Sequence, residues 1–131
     1  MKYLLDTNVF LWGAGTPDKL NQQATNLLSS VSSELYLSAA SSWEIAIKFA
    51  LGALALPEPP SRFIPQVMRA LALRSLDITH LHSIAAGELP RHHRDPFDRM
   101  LIAQARSETM VLLTADTALR RYDVETLLCG K

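Results

Sequence analysis

The chain has 131 residues, 48% of them hydrophobic and 20% charged, and this balance excludes a disordered or fibrous protein. Thirteen basic residues equal thirteen acidic residues, so the net charge of zero provides no long-range attraction to nucleic acid or to an anionic membrane. The single cysteine, Cys129, cannot form an internal disulfide, and one globular domain over residues 1–131 is predicted.

Export and membrane insertion are not expected. Asp6 interrupts the apolar stretch at the N-terminus, which argues against a signal peptide. The longest apolar run, Phe49–Leu56, contains Gly52 and is far shorter than the about 20 residues that cross a bilayer. A cytoplasmic protein without membrane contacts is therefore predicted.

The first part of the chain is predicted to form a strand, a helix and a second strand. The apolar run Tyr3–Leu5 indicates a buried strand, and it ends abruptly at Asp6. Thr16 followed by proline is typical of an N-cap and a first helical residue, which predicts a helix over about 17–29. Glu34–Ser38 is the second strand candidate.

Two helices and a short strand are predicted in the middle of the chain. Ser41 or Ser42 is expected to cap a helix that ends at Gly52. After three prolines, apolar residues recur at helical spacing over 63–71, with a further proline near the start of this helix. The alternating residues Leu76–Ile78 predict a third strand.

The last part continues the alternation. Thr79 is expected to cap a helix to about Leu89, and a basic loop, 90–94, follows. Asp95 and the next proline predict the cap and first residue of another helix, and Met110–Leu113 predicts a buried strand. Strands that alternate with helices indicate an α/β fold, in which a mainly parallel sheet is covered on both faces to give three α/β/α layers.

Four acidic residues from separate segments are expected to meet at one edge of this sheet. Asp6 and Asp116 directly follow predicted strands, and the ligand crevice of an open α/β sheet lies at the carboxyl ends of the strands. Glu44 and Asp98 lie in the first turns of predicted helices that open on the same edge. Two carboxylates about 6 Å apart repel each other by roughly 3 kcal/mol. A hard divalent cation, Mg²⁺ or Mn²⁺, would neutralise such a cluster and would support phosphodiester hydrolysis.

Each acid also has a purely structural interpretation. Asp6 and Asp116 are placed to cap the elements that follow them, and Glu44 is placed to pair with Lys48 one helical turn later. Asp95 is better explained as a helix cap than as a metal ligand.

The basic segment from 91 to 106 has a local excess of positive charge. Arg94 and Arg99 are candidate contacts to RNA phosphates, although a solvated loop explains each arginine equally well. Trp43 and Phe97 have the chemistry to stack on bases, but a role in the core or as a hydrophobic staple is preferred for both.

Four sequence blocks resemble the PIN-domain ribonucleases, and in particular the VapC-type toxins of toxin–antitoxin modules. These blocks are LLDTNVFLW (4–12), SAASSWEIAIK (38–48), HRDPFDRMLIAQA (93–105) and LLTAD (112–116). The resemblance implies a three-layer PIN fold and an endoribonuclease that depends on Mg²⁺ or Mn²⁺. It also implies a small VapB-like antitoxin that binds and inhibits the toxin, and it is consistent with a homodimer.

The resemblance further implies which residues hold the metal. By position these are Asp6, Glu44, Asp98 and Asp116. Polar residues that would assist the metal shell are Thr7, Asn8 and Thr114, with Asp95 as a possible additional ligand.

Two other functions stay open at this point. A haloacid-dehalogenase-like phosphatase also has an aspartate after its first strand, but it requires a second aspartate two residues later, where this chain has Asn8. A non-catalytic module that binds RNA or protein would use the same acids only as helix caps.

Overall fold

A computed structural model describes all 131 residues and contains one five-stranded sheet. The strands are β1 (Lys2–Leu5), β2 (Glu34–Ser38), β3 (Arg74–Leu76), β4 (Val111–Thr114) and β5 (Thr126–Leu128). Their order is β3-β2-β1-β4-β5, and every neighbouring pair is parallel. In the centre, Leu4 of β1 lies opposite Tyr36 of β2 and Leu112 of β4.

Six helices connect these strands. They are α1 (Thr7–Gly15), α2 (Gln22–Ser29), α3 (Ala39–Ala50), α4 (Pro60–Ala70), α5 (His80–Glu88) and α6 (Pro96–Glu108). Short 3-10 turns cover Pro17–Lys19 and Thr117–Arg121. None of the helices has the combined length and hydropathy that a membrane crossing requires.

The core has two halves because adjacent strand residues point to opposite faces of the sheet. Leu5 and Leu113 belong to one apolar cluster, which includes residues of α1, α2 and α4. Leu4 and Leu112 belong to the other, which includes residues of α5 and α6. Helices thus cover both faces of the sheet, and the predicted three-layer α/β/α fold is confirmed.

The predicted helix over about 17–29 is wrong in its first part. The chain enters α1 directly after β1, because the Asp6 side chain caps this helix by accepting a hydrogen bond from the Val9 amide at 2.7 Å. Thr16 makes no capping bond, and Leu20 is extended and forms an antiparallel bridge with Gly130. The cap of α2 is therefore Asn21, whose side chain accepts from Ala24 N at 2.9 Å.

Other element boundaries also differ from the prediction. Helix α3 is capped by Ser38, which accepts from Ala40 N at 3.0 Å, and not by Ser41 or Ser42. Strand β3 begins two residues earlier than predicted, and β5 was not predicted at all. The predicted caps Thr79 and Asp95 are confirmed.

Candidate metal centre

Asp6 and Asp116 are brought together by neighbouring strands. Asp6 follows β1, Asp116 lies two residues beyond β4, and these strands pair in parallel, so both residues reach the same edge of the sheet. Thr114, the last residue of β4, joins them: its hydroxyl donates to Asp6 Oδ2 at 2.5 Å and accepts from the Asp116 amide at 3.0 Å.

Asp6 is an acid in a buried position, with 5% of its surface exposed. Burial raises its pKa to about 6, the hydrogen bonds from Thr114 and Val9 oppose this rise, and the negative charge of Asp98 adds to it. The carboxylate therefore ionises close to neutral pH, where a nearby cation would favour the charged form.

Glu44 is held on the other side of this edge by α3. It is 6% exposed, and it accepts hydrogen bonds from Thr7 Oγ1 and from Lys48 Nζ, both at 2.6 Å. The predicted pair of Glu44 and Lys48 is therefore confirmed. Because Thr7 directly follows Asp6, its hydroxyl links the α1 side of the edge to α3.

Asp98 lies in the first turn of α6 and contacts a histidine from the preceding loop. His93 Nε2 donates to Asp98 Oδ2 at 2.8 Å and lies 3.7 Å from Asp116 Oδ2. Burial and the charge of Asp95 raise the pKa of Asp98, whereas the hydrogen bond from His93 lowers it.

The four predicted acids thus lie at one edge, but they do not converge equally. Ligand atoms of His93, Asp98 and Asp116 all lie within 4.8 Å of one another. Asp6 and Glu44 instead face their threonine and lysine partners, although the charge of Asp98 raises the pKa of Asp6 and the charge of Glu44 raises the pKa of Asp98. The exposed side-chain fraction rises to 25% at Asp98 and 45% at Asp116, so this side of the centre is open to solvent.

Sequence reasoning did not single out His93. Its only local signal is its place in a basic loop just before the cap of α6, and the same signal applies to the adjacent His92. The two side chains diverge in the structure, since His92 packs edge-to-face on Tyr122 with ring centroids 5.1 Å apart.

The remaining polar residues predicted near the centre have different contacts. Thr7 and Thr114 each hold a carboxylate, as described above. The Asn8 side chain is exposed on the first turn of α1. Asp95 caps α6 by accepting from Phe97 N at 2.8 Å and from Asp98 N at 3.4 Å.

The two arginines that were predicted to bind phosphate have different environments in the structure. Arg94 is exposed and, together with Arg91, His93 and Arg99, lines a cavity of about 630 Å³ that has no hydrophobic residue in its lining. Arg99 is already engaged, because its guanidinium donates to five backbone carbonyls, those of Ala86, Gly87, Leu89, Pro90 and His93. Its donors are used to hold the end of α5 and the basic loop, so the expected phosphate contact is replaced by a structural role.

Of the core and staple roles expected for Trp43, the core position is wrong. Trp43 is 61% exposed and packs edge-to-face against Phe97, with centroids 5.5 Å apart and an angle of 78° between the rings. The pair bridges α3 and α6 beside Glu44 and Asp98, the two acids that adjoin it in sequence.

The donor set fits a hard divalent cation. Four carboxylates from four segments lie at one edge, and two of them are hydrogen-bonded to Lys48 and His93. Asp6 accepts hydrogen bonds from hydroxyl and amide donors, and Asp116 accepts one from an amide and has His93 Nε2 at 3.7 Å, which leaves negative charge for a cation to neutralise.

A parallel five-stranded sheet between two helical layers, with acids at its carboxyl edge, defines the class of PIN-like folds. The PIN domain family model matches residues 3–125, and the chain belongs to this family. The resemblance predicted from the four sequence blocks is thereby confirmed.

Individual proteins of known class are also similar to this chain in sequence or in fold. Ribonuclease VapC16 of Mycobacterium tuberculosis (strain ATCC 25618 / H37Rv) is 40% identical over 57 residues, which are 44% of this chain and 40% of that protein. The chain therefore spans well under half the length of this curated relative. The fold is similar to VapBC2 from Rickettsia felis bound to a promoter DNA fragment, with a TM-score of 0.75, 15% identity and 98% coverage of both chains. It is also similar to DNA-bound VapBC from Salmonella typhimurium, with a TM-score of 0.67, 23% identity and 97% coverage of both chains.

Proposed function

We propose that this protein is a VapC-type endoribonuclease that hydrolyses RNA phosphodiester bonds with Mg²⁺ or Mn²⁺, as the toxin of a toxin–antitoxin pair. The observation that carries the proposal is the meeting of Asp6, Glu44, Asp98 and Asp116 at one edge of the sheet in a member of the PIN family. The partial identity to a VapC ribonuclease supports RNA as the substrate.

In this proposal the four acids hold the cation, with Asp95 and Asn8 as outer residues of the site. A divalent cation bound there would supply Lewis-acid stabilisation of the phosphate and activation of water. Thr114 orients the Asp6 carboxylate, and Thr7 orients that of Glu44, through bonds of 2.5 and 2.6 Å. The substrate would approach from the side of Asp98 and Asp116, which is the open side of the centre.

The basic cavity beside this open side supplies the RNA contacts. Arg91 and Arg94 are exposed there, no carboxylate lines the cavity, and His93 connects it to Asp98. A chain with zero net charge would thus bind the phosphate backbone locally, through Arg94 in particular.

The proposed partners are a VapB-like antitoxin and a second copy of the chain. The similar structures named above are VapBC complexes, which supports the antitoxin. Leu81 and Ile84 of α5 are exposed one helical turn apart, and they offer apolar surface of the kind that a homodimer requires.

RNA cleavage by the purified protein with Mn²⁺, and with EDTA in excess, tests the activity. We expect cleavage that EDTA abolishes and that Asp6→Asn reduces by at least about a hundredfold, because the charged form of Asp6 is required. The matched control is Asp18→Asn at an exposed aspartate outside the centre, which should remain active. RNA binding without cleavage in any metal would identify the non-catalytic alternative, and release of phosphate from a monoester instead of RNA cleavage would identify the phosphatase.

A further inference from the structure

We propose that His93 supplies an imidazole ligand to the cation at Asp98 and Asp116, so that the centre contains one nitrogen beside its carboxylate oxygens. The inference rests on the proposed metal-dependent function and adds to it a residue that the four-acid pattern does not contain.

The spacing of the three ligand atoms supports this assignment. In an octahedral shell with metal–ligand distances of about 2.1 Å, adjacent ligand atoms are about 3 Å apart and opposite ones about 4.2 Å apart. His93 Nε2 lies 2.8 Å from Asp98 Oδ2 and 3.7 Å from Asp116 Oδ2, and one ligand atom of each of the three residues lies within 4.8 Å of the others. The two distances from His93 are close to those between ligands that share one ion.

The backbone around His93 is fixed by contacts outside the centre. The His93 carbonyl accepts from Arg99 Nη1 at 3.3 Å, and the same nitrogen donates to the Pro90 carbonyl at 2.9 Å, so Arg99 holds both ends of the basic loop. Pro90 is held a second time by the Tyr122 hydroxyl, which donates to its carbonyl at 2.9 Å. The imidazole is thus placed at the centre by a preformed loop, and only 25% of its side chain is exposed.

Coordination would replace the hydrogen bond between Nε2 and Asp98, with the neutral imidazole carrying its proton on Nδ1 and leaving Nε2 free for the cation. A nitrogen ligand shifts the preference of a site toward first-row transition ions, whereas Mg²⁺ prefers oxygen ligands and retains its water. We therefore expect Mn²⁺ to bind more tightly than Mg²⁺. We also expect His93→Gln to weaken Mn²⁺ binding by at least about tenfold, with a smaller effect on Mg²⁺.

Pulsed EPR of Mn²⁺ bound to the full chain, purified without a histidine tag, tests the contact directly. The expected result is a ¹⁴N coupling from imidazole that becomes a ¹⁵N coupling in protein labelled at histidine. His93→Gln should lose the coupling, and His92→Gln should keep it, because His92 packs on Tyr122 instead. Because His93 is the histidine that lies within reach of both Asp98 and Asp116, a nitrogen coupling in the unmodified protein already supports it, and its absence there overturns the assignment even if a variant folds poorly.

The possible failures are distinguishable. Mn²⁺ that binds, and that is lost on Asp98→Asn, but shows no nitrogen coupling would overturn the role of His93 and leave the proposed nuclease intact. A chain that binds no Mn²⁺ at all would overturn both the role of His93 and the metal-dependent function.

Discussion

Asp6 has a favourable structural contact and an unfavourable burial at the same time. Its carboxylate caps α1 through Val9 N, yet burial raises its pKa from 3.8 to about 6. The folded chain therefore binds the Asp6 proton more tightly than the unfolded chain does. The contribution of Asp6 to the free energy of unfolding is greatest at low pH, falls as the pH rises from about 3.8 to about 6, and is constant above that. The total loss over this range is at most about 3 kcal/mol.

Asp6→Asn is expected to stabilise the metal-free protein while it removes activity. Asparagine keeps the acceptor for Val9 N and carries no charge to desolvate, and its NH2 group can donate to Thr114 Oγ1 in place of the bond that Oδ2 accepts. The free energy of unfolding at pH 7.5 should therefore rise by about 1–3 kcal/mol. The gain should largely disappear near pH 4, where the aspartate itself is protonated. Urea unfolding in EDTA at the two pH values measures this difference.

The control for this prediction is Asp18→Asn, which replaces an exposed aspartate and should change stability by less than about 0.5 kcal/mol at both pH values. An Asp6→Asn protein that is less stable than the parent at pH 7.5 would show that the ionised carboxylate contributes more by its hydrogen bonds than it costs by burial.

At the scale of elements, the centre depends on how α5, the basic loop and α6 are connected. The last turn of α5 leaves carbonyls without helical partners, and Arg99 from α6 donates to those of Ala86 and Leu89 at 2.9 Å each. The same guanidinium holds the loop that carries His93. The Arg99 side chain therefore caps the carbonyls at the end of α5 and also holds the loop that places His93 at the centre.

Arg99→Lys is expected to destabilise the protein although it retains the charge. An ammonium group cannot span carbonyls that a planar guanidinium reaches with two nitrogens, so we expect a loss of about 1–3 kcal/mol. Hydrogen exchange should become faster over residues 86–93. The matched variant is Arg94→Lys at an exposed position, which should leave the unfolding midpoint unchanged. Equal midpoints for both variants would show that the carbonyl contacts of Arg99 contribute little.

Two substitutions at Asp95 separate a helix cap from a metal ligand. Asp95→Asn keeps the side-chain acceptor for Phe97 N and Asp98 N, so stability and Mn²⁺ affinity should both stay close to those of the parent. Asp95→Ala removes the cap and should cost about 1 kcal/mol in thermal or urea unfolding. A large loss of Mn²⁺ affinity in Asp95→Asn, with stability unchanged, would make Asp95 a ligand.

The parts of the fold with strong local signals were predictable, and the parts set by distant contacts were not. Strand β2 and the caps Thr79 and Asp95 follow from apolar runs and short polar motifs. The bounds of helix α1 were not predicted, because its residues are mostly apolar and show no one-sided periodicity; the capping position of Asp6 was its only local signal. Strand β5 has only three residues, all half-buried, which is too weak a local pattern to predict a strand. Its strand conformation is set by its pairing with β4.

The same distinction holds within the candidate centre. The positions of Asp6 and Asp116 follow from strand ends, because parallel strands bring their carboxyl ends to one edge. The contact of His93 with Asp98 and the engagement of Arg99 depend on where the end of α5 meets α6 in space. Charge alone makes Arg94 and Arg99 look equivalent, and only the folded chain shows that one is exposed and the other is bonded to carbonyls.

For the whole molecule, the charge distribution matters more than the net charge. Thirteen basic and thirteen acidic residues cancel, but the acids of the centre and the arginines of the basic cavity are segregated side by side. An RNA strand could then place one phosphate at the centre while Arg91 and Arg94 contact its neighbours. Because only a few phosphates are contacted, affinity should depend on salt much less than for a protein with a broad basic surface.

The salt dependence of RNA binding tests this arrangement. In Asp6→Asn protein with EDTA, which prevents cleavage, two arginine contacts to a single strand predict a slope of log K against log salt of about −1.4. Arg94→Gln should reduce the magnitude of that slope by about 0.7, and Arg94→Lys should keep it, because the slope counts neutralised phosphates and not their geometry. Fluorescence anisotropy with a labelled single-stranded RNA between about 50 and about 200 mM salt measures these slopes. A parent slope steeper than about −4 would require more cations than the basic cavity contains, and would place RNA across other parts of the surface.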